Sequence, residues 1–236
     1  MTSPKKNSKA MPATQPAAAP EREQRGARRR RETRIKLMDA AFRLMAERDF
    51  AAIKINEITE AADVGIGSFY NHFETKELLY AAVCDAVFEQ FGDALDALAS
   101  ELSDPAEIIA VSIRHTMRRA QREPLWGRFL VRESHTSNAF SKGLGARLLR
   151  DIEHGSKLRR FKTPDPLLSV IGVGGTVLAA ISATSQLSVP QPEARLPFDV
   201  DVATLPERTA TAALQTLGLT YETARRIAHR PLPVDD

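Results

Sequence analysis

At 236 residues, with 43% hydrophobic and 27% charged side chains, the chain has the length for one medium domain or for a small domain plus a larger one, and enough apolar content for a core. Its single cysteine, Cys84, excludes internal disulfides and any cysteine-based zinc site, and suits a reducing cytoplasm. The net charge of +3 is unevenly placed: residues 1–36 carry eleven Lys or Arg against three Glu, or +8, which leaves −5 on the remainder. A basic end followed by a mildly acidic body is the asymmetry of a chain whose N-terminus meets a polyanion, although a basic tail taken alone reads equally as a solvated segment.

Residues 1–28, dominated by Pro, Ala, Ser, Lys and Gln, show no helical or strand period and are expected to be a disordered arm. No apolar stretch follows the first charges, so no secretory leader is expected and a cytoplasmic location is. From about Gly26 to Arg48 an amphipathic helix is predicted, with Ile35, Leu37, Met38, Ala41, Phe42, Leu44 and Met45 on its apolar face. Residues 54–73 read as two short helices joined by a tight turn, and Thr75 caps the helix that follows. Together they form a three-helix DNA-binding unit over 29–76 whose second short helix lies in a major groove.

Helices continue to the end of the chain. Asp104-Pro105-Ala106-Glu107 supplies a cap, a first-turn proline and a Glu at the third helical position, and Thr204-Leu205-Pro206-Glu207 repeats that pattern. Pro124 opens a short helix, 138–160 forms another, and Asp165-Pro166 starts an apolar helix to about Leu187. Gly218 stands just past the helix that begins at Leu205, and Thr220 to about Arg230 is the last. The prediction is an all-α protein of nine or ten helices: the N-terminal helix-turn-helix domain, a larger C-terminal helical domain over 77–230, and a tail at 231–236. The uncharged stretch 171–187 contains Gly, Ser and Thr throughout, which favours a buried interface helix over a membrane span.

At 100° per residue, Phe69 and Phe73 fall on one side of the reading helix, where Ile58, Ala62 and Val64 can pack against them. Gly67, Ser68, Tyr70 and Asn71 then face outward, a set able to approach and hydrogen-bond base edges. Lys76 is a cation in the first turn of the next helix, against the helix dipole, and a phosphate there would reverse the sign of that cost; Glu74 and Glu77 could also neutralise it.

The stretch from about Arg31 to Val87 resembles the DNA-binding domain of the TetR (tetracycline-repressor-like) family of bacterial transcription regulators. The matching residues are the first helix ending Ala40-Ala41-Phe42-Arg43-Leu44-Met45-Ala46-Glu47, then Ile58, Ala61-Ala62, Val64, Gly67-Ser68-Phe69-Tyr70, His72-Phe73 and Lys76-Glu77-Leu78-Leu79. The resemblance implies base contacts from Ile66, Gly67, Ser68, Tyr70 and Asn71, phosphate contacts from Tyr70, His72 and Lys76, and a base or phosphate contact from Asn56. It departs from the family at Asp49, where a glycine is usual, at Asp63, which replaces the turn glycine, and at Lys54, where a threonine is usual. A lysine can bind phosphate but cannot cap, which leaves the cap to Asn56.

For the rest of the chain the resemblance implies a homodimer, with the helices 166–187 and 205–217 and their symmetry mates in a four-helix interface. Leu168, Gly172, Gly175, Ala179, Ala183, Ala210, Leu214 and Leu217 are the interface residues on that reading; packing within the monomer core is the other. It also implies a small-molecule site in the middle helices. Phe88, Phe91, Ile113, Met117, Trp126, Phe129, Leu130 and Phe140 are candidate walls, and Ser112, His115, Arg132, Glu133 and His135 candidate polar contacts, for a mostly apolar effector. The expected function is therefore a homodimeric repressor released from a near-palindromic operator by a small effector. The alternative is a DNA-bound regulator without an effector, working through a protein partner or as an activator. No cofactor, no metal and no enzymatic activity are expected: no nucleophile triad, phosphate loop or carboxylate pair is present, and Gly172-Val173-Gly174-Gly175 opens no βα unit.

Overall fold

The computed structural model describes residues 19–134, 142–187 and 201–233. They form α1 (Ala19–Glu47), α2 (Ile55–Ala61), α3 (Ile66–Tyr70), α4 (Lys76–Cys84), α5 (Gln90–Ala99), α6 (Pro105–Arg122), α7 (Pro124–Glu133), α8 (Gly143–Lys157), α9 (Pro166–Leu187), α10 (Leu205–Thr216) and α11 (Tyr221–Ala228), with no strand among the described residues. A π turn over Asp85–Glu89 joins α4 to α5, so the two run as one helix. Short 3₁₀ turns at Phe50–Ala52 and Val202–Thr204 precede α2 and α10.

α1 begins at Ala19, ahead of the start expected at Gly26, so part of the segment expected to be disordered is helix. Proline is tolerated in a first turn, and Glu, Arg and Gln after it are good helix formers. The expected wall Phe140, the expected polar contact His135 and residues 1–18 of the arm lie outside the described residues.

Two buried clusters organise the molecule. Leu37, Ala41 and Met45 of α1, Ile58 of α2, Phe69 of α3 and Leu79 and Val83 of α4 enclose the first. The second is built from α6 to α11, around Ile109, Met117, Trp126, Ile152, Val173, Ile181 and Leu214. Phe42, Val87 and Phe88 touch both, and Phe129 stacks on Phe88 at 5.0–5.2 Å from the rings of Phe42 and Phe88, so aromatic packing fuses the N-terminal unit to the body.

Polar ties hold the body helices in register. Arg147 of α8 reaches Glu89 (2.8 Å), Asp93 (2.5 Å) and Asp96 (2.9 Å), while Arg150 pairs with Asp96 and Asp151. The buried Arg114 of α6 meets Glu207 of α10 at 2.9 Å and the Arg230 carbonyl at 2.6 Å. Caps are formed as expected at Thr75 (from Leu78 N, 3.2 Å) and Asp104 (from Ala106 N, 3.0 Å). They differ at α10: Thr204 makes no side-chain cap and donates to the Asp201 carbonyl, because Asp201 starts a 3₁₀ turn first and Glu207 is engaged by Arg114 and Arg118. Gly218 has φ +88 and ends α10 as predicted.

In α9, which is long and apolar enough to cross a membrane by length and composition, Ser169, Thr176, Ser182, Thr184 and Ser185 each donate to the carbonyl four residues back. Those bonds satisfy the hydroxyls within the helix itself, and α9 packs on α6, α7, α8 and α10.

Candidate nucleic-acid interface

The helix-turn-helix is fixed from its two ends. At its start the Glu57 carboxylate accepts from Lys54 N (2.8 Å) and pairs with Arg48 (2.8 Å). Those donors hold its pKa below the ordinary carboxylate range, the Lys54 amide first and the Arg48 guanidinium second. Glu57, not Asn56, thus closes the beginning of α2, which leaves the exposed Asn56 and Lys54 side chains available. In the turn Asp63 takes φ +53, the left-handed conformation in which a glycine is usual, and Val64 N donates to Thr59 O at 3.0 Å.

α3 is five residues long, and Phe69 and Phe73 turn inward onto Ile58 and Ala62 as the helical phase predicts. Its free surface divides in two. Ile66 and Tyr70 are exposed, and Gly67 has open space where a Cβ would stand. Ser68, Asn71 and His72 instead turn toward α1, where with Arg29, Arg30 and Thr33 they line a cleft of about 410 Å³. Ser68 is half-buried there, a correction to its expected place on the open face, because α1 extends past α3 and covers that side. Arg30 donates to Asn71 O (3.2 Å) and Arg34 to His72 O (3.3 Å), while the Arg34 guanidinium lies 4.3 Å over the Phe73 ring. Burial first, then the charges of Arg30 and Arg34, lower the His72 pKa.

Lys76 is placed otherwise than expected. Its ammonium donates to the carbonyls of Phe50 (2.9 Å), Ala51 (3.3 Å) and Ile53 (2.8 Å) and lies 4.4 Å over the Phe50 ring. An ammonium has three donors, so all are used inside the protein, and a phosphate contact would have to displace one of these carbonyls. Arg29 and Arg30 lie outside the motif, in the run of four arginines at 28–31 of the basic end expected to meet a polyanion, and the helical start at Ala19 puts these two beside α3.

Of the expected effector residues, Phe91, Met117, Trp126 and Leu130 gather in the second core, and His115 is buried on α6. Arg119 lies over the rings of both Phe91 (4.8 Å) and Trp126 (4.7 Å). The Trp126 indole N–H is buried with no hydrogen-bond partner among the described residues. Phe129 belongs to the junction with Phe42 and Phe88, which makes Phe88 half junction and half wall. Arg132 is exposed and donates to Glu47 O (3.1 Å), tying α7 to the end of α1. Glu133 accepts from the Tyr80 hydroxyl at 2.5 Å and links α7 to α4. Beside it, burial pushes the Cys84 thiol up to about 12, an unreactive cysteine.

The expected interface residues separate as well. On α9, Leu168 and Ile171 are exposed at 62% and 46%, Gly175 has open space around it, and Ala179 is exposed; Ala183 is half-buried. Gly172 serves α10, since a Cβ there would lie 2.9 Å from Thr216 Cγ2. Ala210, Leu214 and Leu217 are fully buried in the monomer core and are not interface residues; α10 presents Arg208, Ala212, Gln215 and Thr216 outward.

Comparison with known proteins bears on both halves of the chain. Residues 37–83 match the family described as bacterial regulatory proteins, tetR family, and residues 104–230, more than half of the chain, match the tetracyclin repressor-like C-terminal domain. An uncharacterised HTH-type transcriptional regulator of Mycobacterium tuberculosis is 33% identical over 89 residues, covering 38% of this chain and 44% of that protein. The HTH-type transcriptional repressor KstR of Mycolicibacterium smegmatis is 24% identical over 133 residues, covering 56% and 62%. The chain thus spans about half the length of these curated relatives. Among solved structures, RolR in complex with resorcinol is 36% identical, with a TM-score of 0.61 over 88% of this chain and 98% of that one. The FadR regulator of Bacillus subtilis with stearoyl-CoA, at 17% identity and a TM-score of 0.60 over 79% and 99%, shares the fold. The chain belongs to the tetR family of bacterial regulatory proteins.

Proposed function

We propose that the protein is a homodimeric transcriptional repressor that reads a near-palindromic operator and is released from it by a small, mostly apolar aromatic effector. The observation that carries the DNA-reading half is α3: Phe69 and Phe73 anchor it while Ile66, Gly67 and Tyr70 stand clear of the protein. Lys54 and Asn56 at the start of α2 are the flanking contacts, and Asn71 sits at the border between the bases and the α1 cleft. Two copies of α3, about one DNA turn apart, would read the two half-sites. The exposed stripe Leu168, Ile171, Gly175 and Ala179 supports pairing of α9 with its symmetry mate.

The effector half is supported by the body. RolR, alike along nearly its whole length, was solved with resorcinol, a small dihydroxy-aromatic. Here Phe91, Met117, Leu130 and Trp126 offer apolar walls, and the buried indole N–H of Trp126 lacks an acceptor. An unsatisfied buried donor costs roughly 1–3 kcal/mol, which a phenolic oxygen would recover. Repression is supported by the name of the KstR relative. Effector binding then acts by favouring a dimer whose two reading heads are wrongly spaced.

The test uses a duplex enriched from a randomised library by the full chain. Resorcinol and related phenols are added while DNA retention and the fluorescence of Trp126, the chain's sole tryptophan, are followed. Loss of retention together with a fluorescence change is expected. Retention and emission unmoved across a phenol series would remove the aromatic effector and leave a regulator that acts through a protein partner or as an activator.

A further inference from the structure

The helix-turn-helix is short of the positive charge that holds a protein on DNA. Residues 49–76 contain two lysines and five carboxylates, a net −3, and one of those lysines, Lys76, is engaged by backbone carbonyls. α3 is five residues long, about 7.5 Å, so it spans only about two base-pair steps and the phosphates must supply most of the affinity. The cations lie elsewhere. Residues 25–36 hold seven Arg or Lys against one Glu, on a stretch of α1 that contains no buried residue. Ile35 is its one large apolar side chain, so it has no apolar face with which to lie on a lipid surface.

We propose that the cleft between α1 and α3 is a phosphodiester site, in which Arg29 and Arg30 hold a DNA backbone phosphate beside the bases that α3 reads. The inference rests on the DNA-reading function proposed above and assigns part of its affinity to residues outside the motif. The two guanidiniums share the cleft with the Ser68 hydroxyl, the Asn71 amide and the His72 ring, all able to donate hydrogen bonds. No carboxylate lines it: Glu32, the one acid of this part of α1, pairs with Arg28 at 3.2 Å. Thr33 is a wall and not a donor, because its hydroxyl is engaged by Arg29 O at 3.0 Å. Arg30 is already held in place by its bond to Asn71 O, which occupies one of its five N–H groups and leaves the others for an anion. Two forked cations and several neutral donors around one cavity make the donor set of an oxyanion site, with the planar geometry that suits phosphate.

The cleft also fixes where the phosphate lies. Ser68 lies on the same short helix as Gly67 and Tyr70, and Asn71 and His72 follow in the turn at its end, so a strand whose base edges meet Gly67 and Tyr70 passes its backbone along the α1 side. Base reading and phosphate binding are thereby joined through α3, and α1 sets the register of the reading helix.

Single variants of the full chain, Arg29→Gln, Arg30→Gln and Arg31→Gln, test this on the duplex enriched by the unaltered protein. All three lose one charge, but Arg31 does not line the cleft. Binding is measured across a salt titration, with phosphate-ethylation interference to locate the contact. Arg29→Gln and Arg30→Gln are expected to weaken binding roughly tenfold each and to reduce the salt slope by about 0.9 per protomer. One ethylated phosphate in each half-site should cease to interfere, and Arg31→Gln should do none of this. Equal losses for all three variants would make the arginines a diffuse basic tail and overturn the site, as would no loss from Arg29→Gln. Failure of the unaltered chain to enrich any duplex is a separate result, and it removes the DNA-reading function itself along with this site.

Discussion

Lys76 decides how a cation at the start of a helix is to be understood. In the sequence it stands in the first turn of α4, against the helix dipole, and a nearby anion is the obvious remedy. The structure supplies carbonyl oxygens instead, three of them, at the end of the 3₁₀ turn Phe50–Ala52. Lys76→Met, which keeps the chain length and loses the donors, is expected to lower stability by about 1–3 kcal/mol, read by chemical denaturation. Its salt slope on DNA should match the unaltered protein, where a phosphate contact would flatten it by about 0.9 per protomer. Local reading had no access to these partners because they lie 23 to 26 residues away in sequence. Phe69 and Phe73 were legible for the opposite reason: a four-residue spacing on a helix fixes their shared face without any tertiary knowledge. Ser68 was misplaced by the same local view, which saw α3 alone and not the arginine-rich helix lying beside it.

Among the elements, helix ends were the most legible features and the lengths the least. Asp104 was readable as a cap because Asp before Pro at a first turn satisfies an orphan amide, and it does accept from Ala106 N at 3.0 Å. What the sequence could not show is its second partner, Arg160 beyond the end of α8, which meets it with two bonds of 2.8 and 2.9 Å. The Arg160 guanidinium, more than the opposing effect of burial, holds the Asp104 carboxyl below the usual range. A depressed folded-state pKa contributes stability that is complete above the unfolded value of about 3.9 and is lost as pH falls through the folded value. Asp104→Asn is therefore expected to cost about 1 kcal/mol at pH 7 and nothing once the parent's Asp104 carboxyl is protonated in the folded and unfolded states alike, so denaturation midpoints of variant and parent converge in acid. At α10 the same capping pattern misled, because Glu207 has a stronger claim from the buried Arg114 than from the helix start. The length of α1 was missed for a different reason. Its first turns show no apolar period in the sequence, and only the helix-forming composition carries them back to Ala19.

For the whole molecule, the division of α9 and α10 between core and surface determines what a dimer can use. The apolar pattern of both helices was plain in the sequence, but pattern alone does not say which apolar face is covered by the same chain. Leu214 and Leu217 are covered by α6, α9 and α11, whereas Leu168, Ile171, Gly175 and Ala179 remain open. An apolar stripe left open on a helix that is otherwise packed is an exposure that a second copy would remove, and Gly175 at its middle would let two helix backbones approach closely. A Cβ at Gly175 would meet no atom of a neighbouring element within 4 Å, so the Gly175→Arg monomer should fold with its circular dichroism unchanged. It places a long charged side chain where the partner helix would lie, and light scattering after size exclusion is expected to give a monomer at micromolar concentration for this variant and a dimer for the unaltered protein. Because linking two half-site contacts raises affinity by roughly 10²–10⁴, binding to the enriched duplex should fall by at least about two orders of magnitude in the same variant. Leu214→Asp, which puts a carboxylate into the monomer core, should instead lose its folded signal at every concentration. A Gly175→Arg protein that remains dimeric and binds as before would move the interface away from α9, and the exposed face of α10 would be the next surface to alter.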